Sequence, residues 1–136
     1  MIAGDPSSAY IYVRFANMWR RGYRIFDFTN HELLSASRLT IGGQPALRIE
    51  LGHVVPMGSG WMRERVLFVC VDRKDSGSSR TWFAANVCER RVTACTVMHG
   101  GRAVEVFHGA ATIDEKTGAI TVDGDRSSVG PSCRIH

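Results

Sequence analysis

The sequence has no long hydrophobic run. Its longest uninterrupted apolar stretch is Val66–Val71, whereas a helix needs about 20 such residues to cross a bilayer. We therefore expect no transmembrane segment. Apolar residues make up 44% of the chain and charged residues 22%, a balance that excludes a disordered tail or a fibre. At 136 residues we expect a single domain, residues 1–136, whose core needs no metal for support.

The sequence also lacks the short motifs of common enzyme classes. No GxSxG, HExxH or P-loop pattern is present, so no motif indicates a serine hydrolase, a zinc protease or a phosphate-binding loop. The acidic residues at Asp114–Glu115 and Asp123–Asp125 are typical of turns and do not have the spacing of a calcium loop. We expect no cofactor and no bound metal.

Lysine is scarce, because only Lys74 and Lys116 accompany the 15 arginines. The net charge is +4, and the excess lies in residues 1–68, which carry eight arginines against five acidic residues. This mild basicity favours an anionic partner, such as an acidic protein or a nucleic acid, but it is weaker than that of a basic arm.

The chain contains four cysteines and no CxxC motif: Cys70, Cys88, Cys95 and Cys133. They allow three disulfide pairings; the alternatives are buried thiols or a zinc site shared with His99 or His108. Zinc ligands usually lie two to four residues apart, which the spacing of Cys88 and Cys95 does not match. Disulfides would indicate a secreted or periplasmic protein. Without them we expect a cytoplasmic one, since Met1–Pro6 has no apolar leader.

Alternation of apolar and polar residues dominates the chain and predicts strands. Tyr10–Phe15 and Leu47–Leu51 alternate, whereas Val66–Val71 is apolar on both faces, as in a central strand. Glycines at Gly100–Gly101 and at the end of Glu115–Gly118 predict hairpin turns. The pattern predicts an all-β antiparallel sandwich or barrel.

One segment predicts a helix instead. Thr29–Glu32 fits a capping box, and Leu33, Leu34 and Ala36 follow it. We therefore expect one short helix near residues 30–37.

The stretch from Arg14 to Arg24 is rich in arginine and aromatic residues and contains no acidic residue. Arginine provides forked donors for phosphate or carboxylate groups, and Trp or Tyr provides a contact face for a base or a protein partner. The predicted binding residues are the following: Trp19, Arg20, Arg21, Tyr23 and Arg24. The alternative is that the aromatic residues belong to the core and the arginines are solvated.

A dispersed set could serve phosphodiester cleavage, which needs a base, an acid and a cation. Its members are His31, Glu50, Arg65 and His99. Their order resembles that in the small fungal ribonucleases that cleave after guanine, which also carry their catalytic groups on an antiparallel sheet. That family's signatures are not present in Thr29–Glu32 or Leu47–Leu51, so the sequence does not assign the chain to it.

The leading hypothesis is a non-enzymatic binding module, such as a secreted effector, an inhibitor or an immunity-like domain, that uses loops on a β scaffold. A protein is the expected partner. The alternative is an RNA-binding protein or a small ribonuclease that uses His31, Glu50, Arg65 and His99.

Overall fold

The computed structural model describes residues 2–5, 10–15, 18–24, 31–57, 60–72 and 87–125. These residues form nine strands and no helix. The strands are β1 (Ile2–Asp5), β2 (Tyr10–Phe15), β3 (Met18–Arg24), β4 (His31–Ile41), β5 (Gln44–Met57), β6 (Gly60–Val71), β7 (Cys88–His99), β8 (Arg102–Ile113) and β9 (Ile120–Asp125). The prediction of an all-β antiparallel fold is confirmed.

Two antiparallel sheets share one core. The first contains β1, β2 and β3, with β2 in the centre, and the second contains β4 to β9 in sequence order. Ile11, Val13 and Phe15 of β2 pack against buried residues of the larger sheet. Those residues are Leu47, Ile49, Leu51, Val66, Phe68, Cys70 and Val92. The small sheet therefore covers one face of the large sheet, as in a β-sandwich.

The other face of the large sheet is covered by its own last strands. Leu67, Val69 and Val71 of β6 pack there with Ile41, Ala46 and Ile120. The large sheet therefore rolls up, and the turn after β8 approaches the turn after β4. The Gly42 N–H donates a hydrogen bond of 2.8 Å to the Glu115 carbonyl where the two turns meet.

Glycine is required at position 42. Its φ is +56°, a backbone conformation that other L residues rarely adopt. A Cβ atom at this position would also lie 2.8 Å from the carbonyl oxygen of Lys116. The close approach of the two turns therefore depends on the missing side chain.

The predicted helix near residues 30–37 is wrong, because His31–Ile41 is strand β4. Its pairing register with β5 shifts between Leu33 and Ser35, so Leu34 is the extra residue of a β-bulge. Because Leu34 is inserted directly after Leu33, apolar and polar residues do not alternate in this segment. Such alternation is the pattern by which a strand is identified in a sequence. Pairing with β5 outweighs the local helix signal.

Both predicted hairpin turns are present. Gly100 and Gly101 have φ values of +61° and +76° between β7 and β8, as a tight turn requires. In the last hairpin Ile113 pairs with Ile120, and Gly118 has a φ of +78°.

The disulfide prediction is confirmed for Cys70 and Cys88, which lie directly opposite each other on β6 and β7. Cys95 is also disulfide-bonded, and no described cysteine is a free thiol. Cys133 lies outside the described residues. The bond joins cysteines with a sequence separation of 18, a loop length at which a disulfide typically contributes about 3 kcal/mol.

The Asp114 carboxylate stabilises the turn between β8 and β9. It accepts hydrogen bonds from the N–H groups of Lys116, at 2.8 Å, and of Thr117, at 3.0 Å. These bonds, the one from Lys116 first, lower the pKa of Asp114. A lowered pKa in the folded state stabilises the fold above the unfolded pKa of about 3.9, and this contribution is lost as the pH falls through the folded pKa.

We predict that Asp114→Ala makes the free energy of unfolding less dependent on pH in the acid range. The unfolding free energy of the unchanged protein should fall more steeply between pH 5 and pH 2 than that of the variant, measured by urea denaturation. Asp123→Ala, on the exposed surface of β9, is the control and should keep the steeper dependence. Equal slopes for the unchanged protein and Asp114→Ala would contradict the prediction.

Candidate functional site

A charged cavity lies on the face of the large sheet that is opposite the small sheet, and β5, β6, β7 and β8 contribute to its lining. It encloses about 170 Å³, and its lining includes Arg48 and Glu50 of β5, Arg65 of β6 and His108 of β8. Arg48 and Glu50 alternate along β5 with Leu47, Ile49 and Leu51, which are buried against the small sheet. Strand alternation therefore directs the two charged side chains to the opposite face.

Glu50 is held between two guanidinium groups in this cavity. Arg48 Nη1 lies 2.5 Å from Glu50 Oε1, and Arg65 Nε donates a hydrogen bond of 3.1 Å to Glu50 Oε2. The Glu50 side chain is 15% exposed. His108 is more open to solvent, and its Nδ1 lies 3.5 Å from Glu105 Oε1. The cavity thus combines cationic, carboxylate and imidazole groups, the types of group that phosphoryl and proton transfer use.

The four proposed ribonuclease residues do not all meet in this cavity. Glu50 and Arg65 are brought together, but His31 pairs in register with His53. His53 is three residues from Glu50 along β5, so strand alternation sets His31 and His53 on the opposite face. The side chain of His99 lies outside the described residues. His108, which is not a member of the predicted ribonuclease set and which the sequence indicated only as an alternative zinc ligand, lines the cavity.

A second ionic cluster lies on the face that carries His53, around the buried carboxylate of Glu64. Glu64 is 7% exposed and accepts a hydrogen bond of 3.3 Å from Arg90 Nη2. His53 Nδ1 lies 3.5 Å from the same carboxylate oxygen, and the His53 ring stacks on His31 with the centroids 4.0 Å apart. The sequence held a signal for this cluster, because Glu64 occupies a core-facing position two residues from Met62 and from Val66.

An open cleft lies at the junction of the two sheets and encloses about 450 Å³. Arg14 and Phe15 of β2 form one side, and Arg38–Thr40 of β4 and Pro45–Leu47 of β5 form much of the rest. Both arginines are exposed. Among the described residues that line the cleft, none is acidic. We refer to this feature as the arginine cleft.

The predicted binding residues Trp19, Arg20, Arg21, Tyr23 and Arg24 lie on β3, an edge strand of the small sheet. In the backbone register Arg14 is opposite Trp19, and Tyr12 is opposite Arg21. The side chains of β3 lie outside the described part of the structure. Strand β3 therefore runs beside the strand that supplies Arg14 to the arginine cleft.

Within the described ranges, no group of three His, Cys, Asp or Glu side chains is arranged to hold a metal ion. In the same part of the chain no helix is long and apolar enough to span a membrane. Comparisons with protein-family models, curated proteins and solved structures gave no match.

We predict that Glu64→Ala destabilises the fold by about 1–3 kcal/mol, because it leaves the partly buried Arg90 guanidinium without its carboxylate. The measurement is urea denaturation at pH 7. Glu105→Ala removes a carboxylate that is 56% exposed and should change stability by less than about 0.5 kcal/mol. The double variant Glu64→Leu with Arg90→Leu should recover most of the loss. A loss below about 1 kcal/mol for Glu64→Ala would contradict this account.

Proposed function

We propose that this chain is a non-enzymatic binding module that recognises a macromolecular partner through the arginine cleft and the adjoining strand β3. The observation that supports it is the placement of Arg14 and Arg38, which come from separate sheets and line one cleft. Guanidinium groups bind carboxylates and phosphates through paired hydrogen bonds. The cleft volume lies within the range of about 300–1,000 Å³ that ligand sites occupy.

The second charged site is less suited to binding an anion. Glu50 already occupies the guanidinium groups of Arg48 and Arg65, so an incoming anion has to displace a carboxylate from both arginines. The described lining of the arginine cleft contains no acidic residue. An anionic group can therefore approach Arg38 without displacing a carboxylate of the described lining.

The disulfides support a location outside the cytoplasm. Cys70 and Cys88 are bonded, and such bonds persist in oxidising compartments. We propose that the protein is secreted or periplasmic and acts there as an effector, an inhibitor or an immunity-like domain. A protein is the partner that we favour, and a nucleic acid is the alternative.

The test is direct binding of two anionic probes, labelled poly-glutamate and a single-stranded 20-nucleotide RNA, at 50 and 300 mM NaCl. We expect the unchanged protein to bind at least one probe, more weakly at the higher salt. Arg14→Glu with Arg38→Glu should weaken that binding at least tenfold. Arg102→Glu with Lys116→Glu makes the same change in net charge at exposed positions outside the cleft and should weaken it less than threefold.

Failure of the unchanged protein to bind either probe would overturn the proposal. Equal losses in the two double variants would also overturn it, because they would reduce the binding to a general effect of net charge.

A second candidate function is phosphodiester cleavage, favoured by the hydrogen bond of Arg65 to Glu50 in a cavity that His108 also lines. In this mechanism Glu50 takes the proton of the RNA 2′-hydroxyl while that oxygen attacks the phosphorus. His108 gives a proton to the departing 5′-oxygen, and the arginines stabilise the negative charge on the phosphate oxygens.

The RNA mixtures of the binding experiment also test this candidate. Cleavage should be at least 100-fold slower with Glu50→Gln and with His108→Ala, and it should persist in Arg102→Glu with Lys116→Glu. Intact RNA after incubation with the unchanged protein would contradict the ribonuclease mechanism.

A further inference from the structure

The outer edge of β4 is open among the described strands. β4 is the first strand in the order of the large sheet, and its residues Glu32–Arg38 are exposed. An edge strand of this kind presents unused backbone N–H and C=O groups to any extended chain that approaches it.

The hydrogen-bond pattern identifies which groups of β4 face outward. Asp72 N–H donates to the carbonyl of Pro45 at 2.9 Å, so this carbonyl points away from β4. Pro45 has no N–H, and it pairs in register with Thr40. The Thr40–Pro45 pair is therefore not hydrogen-bonded, and the backbone groups of Thr40 point outward.

Alternation extends this assignment along the strand. The backbone groups of Ala36 and Arg38 also point outward, because they lie at even spacings from Thr40 with no register shift between them. The bulge at Leu34 ends the regular pattern on one side, and the turn after Ile41 ends it on the other. Ala36–Ile41 is thus a regular open edge of six residues.

The open edge and the arginine cleft are adjacent, because Arg38 and Thr40 belong to both. Side chains of paired residues lie on the same face of a sheet. A strand added to β4 therefore places the side chains that pair with Arg38 and Thr40 on the cleft side. Carboxylates at those positions lie within reach of Arg38, and Arg14 lines the same cleft.

The cleft surface fits a peptide better than a nucleic acid. Beside the arginines, Pro45 and Thr40 are the exposed residues on the Arg38 face of the described lining, and Leu47 is 6% exposed. Phe15 is the aromatic residue among the described lining, and it is 5% exposed, so it offers little face for stacking. Single-stranded nucleic acids depend on exposed aromatic faces for base stacking, whereas an extended peptide can pair with the open backbone groups of β4 beside the cleft.

We propose that the partner presents an extended acidic peptide segment that adds as a strand to β4 and places alternate carboxylates in the arginine cleft. Main-chain hydrogen bonds to Ala36, Arg38 and Thr40 give affinity, and Arg38 selects acidic side chains. This inference rests on the proposed binding function, because it names the partner class of the same cleft.

The test uses a fluorescein-labelled peptide of ten residues, alternating Glu and Val, in fluorescence anisotropy. Ala36→Pro removes one outward N–H without touching the bonds to β5, and it should weaken binding at least tenfold. Ala36→Thr keeps that N–H and should stay within twofold of the unchanged protein. Circular dichroism checks that both variants are folded.

A second measurement needs no variant of the protein. A peptide of the same sequence, methylated on alternate backbone nitrogens, cannot donate to β4 and should bind at least tenfold more weakly. A peptide with Lys in place of Glu should not bind.

The outcomes separate the two proposals. Equal binding of the methylated and unmethylated peptides, with binding lost in Arg14→Glu with Arg38→Glu, would overturn strand addition and leave the binding function standing. Binding of the 20-nucleotide RNA without binding of the acidic peptide would overturn the partner class. Absence of binding to the acidic peptide, poly-glutamate and RNA would overturn both proposals.

Discussion

The structure depends on burying β6 on both of its faces. Val66–Val71 are consecutive apolar residues, each at most 5% exposed, so neither face of this strand can be left to solvent without a large loss of hydrophobic free energy. A different part of the chain packs against each face of β6. The small sheet packs on one face through β2, and the rolled edge of the large sheet packs on the other through β9. The β4–β5 and β8–β9 turns meet where this roll closes.

Both candidate sites lie beside the elements that pack against β6. The arginine cleft lies where β2 meets the β4–β5 hairpin, and the charged cavity lies where β8 overhangs β5 and β6. Their electrostatics differ. In the cavity the positive charge of two arginines is partly neutralised by Glu50, whereas the described lining of the cleft contains no acidic residue beside Arg38. This difference favours the cleft as the place where an anionic group of a partner is bound.

Local patterns in the sequence predicted much of the fold and little of the site. The run Val66–Val71 indicated a central strand, and the glycines indicated the hairpin turns, because both signals come from neighbouring residues. The β4 strand was missed because a bulge at Leu34 disrupts the alternation on which strand prediction relies. The bulge becomes visible only once β4 is paired with β5.

The site residues, too, can be predicted from the sequence only where local patterns indicate them. The proximity of Glu50 and Arg65 follows from their positions on the paired strands β5 and β6. The sequence indicates both residues as candidates for phosphodiester cleavage. His108 reaches the same cavity because Arg65, Ala94 and His108 lie in register across β6, β7 and β8, a pairing that neighbouring residues in the sequence do not specify. Arg14 and Arg38 line one cleft from different sheets, which no local pattern in the sequence encodes. Glu64 was open to prediction, since an acidic residue at a core-facing strand position needs a buried partner.

The most direct test of this account is an NMR titration of the ¹⁵N-labelled protein with the acidic Glu–Val peptide, following the backbone amide signals. The account predicts that the largest shifts occur at Phe15, Ala36, Arg38 and Thr40, around the arginine cleft and the open edge of β4. Shifts concentrated instead at Glu50, Arg65 and His108 would contradict it and would assign binding to the charged cavity.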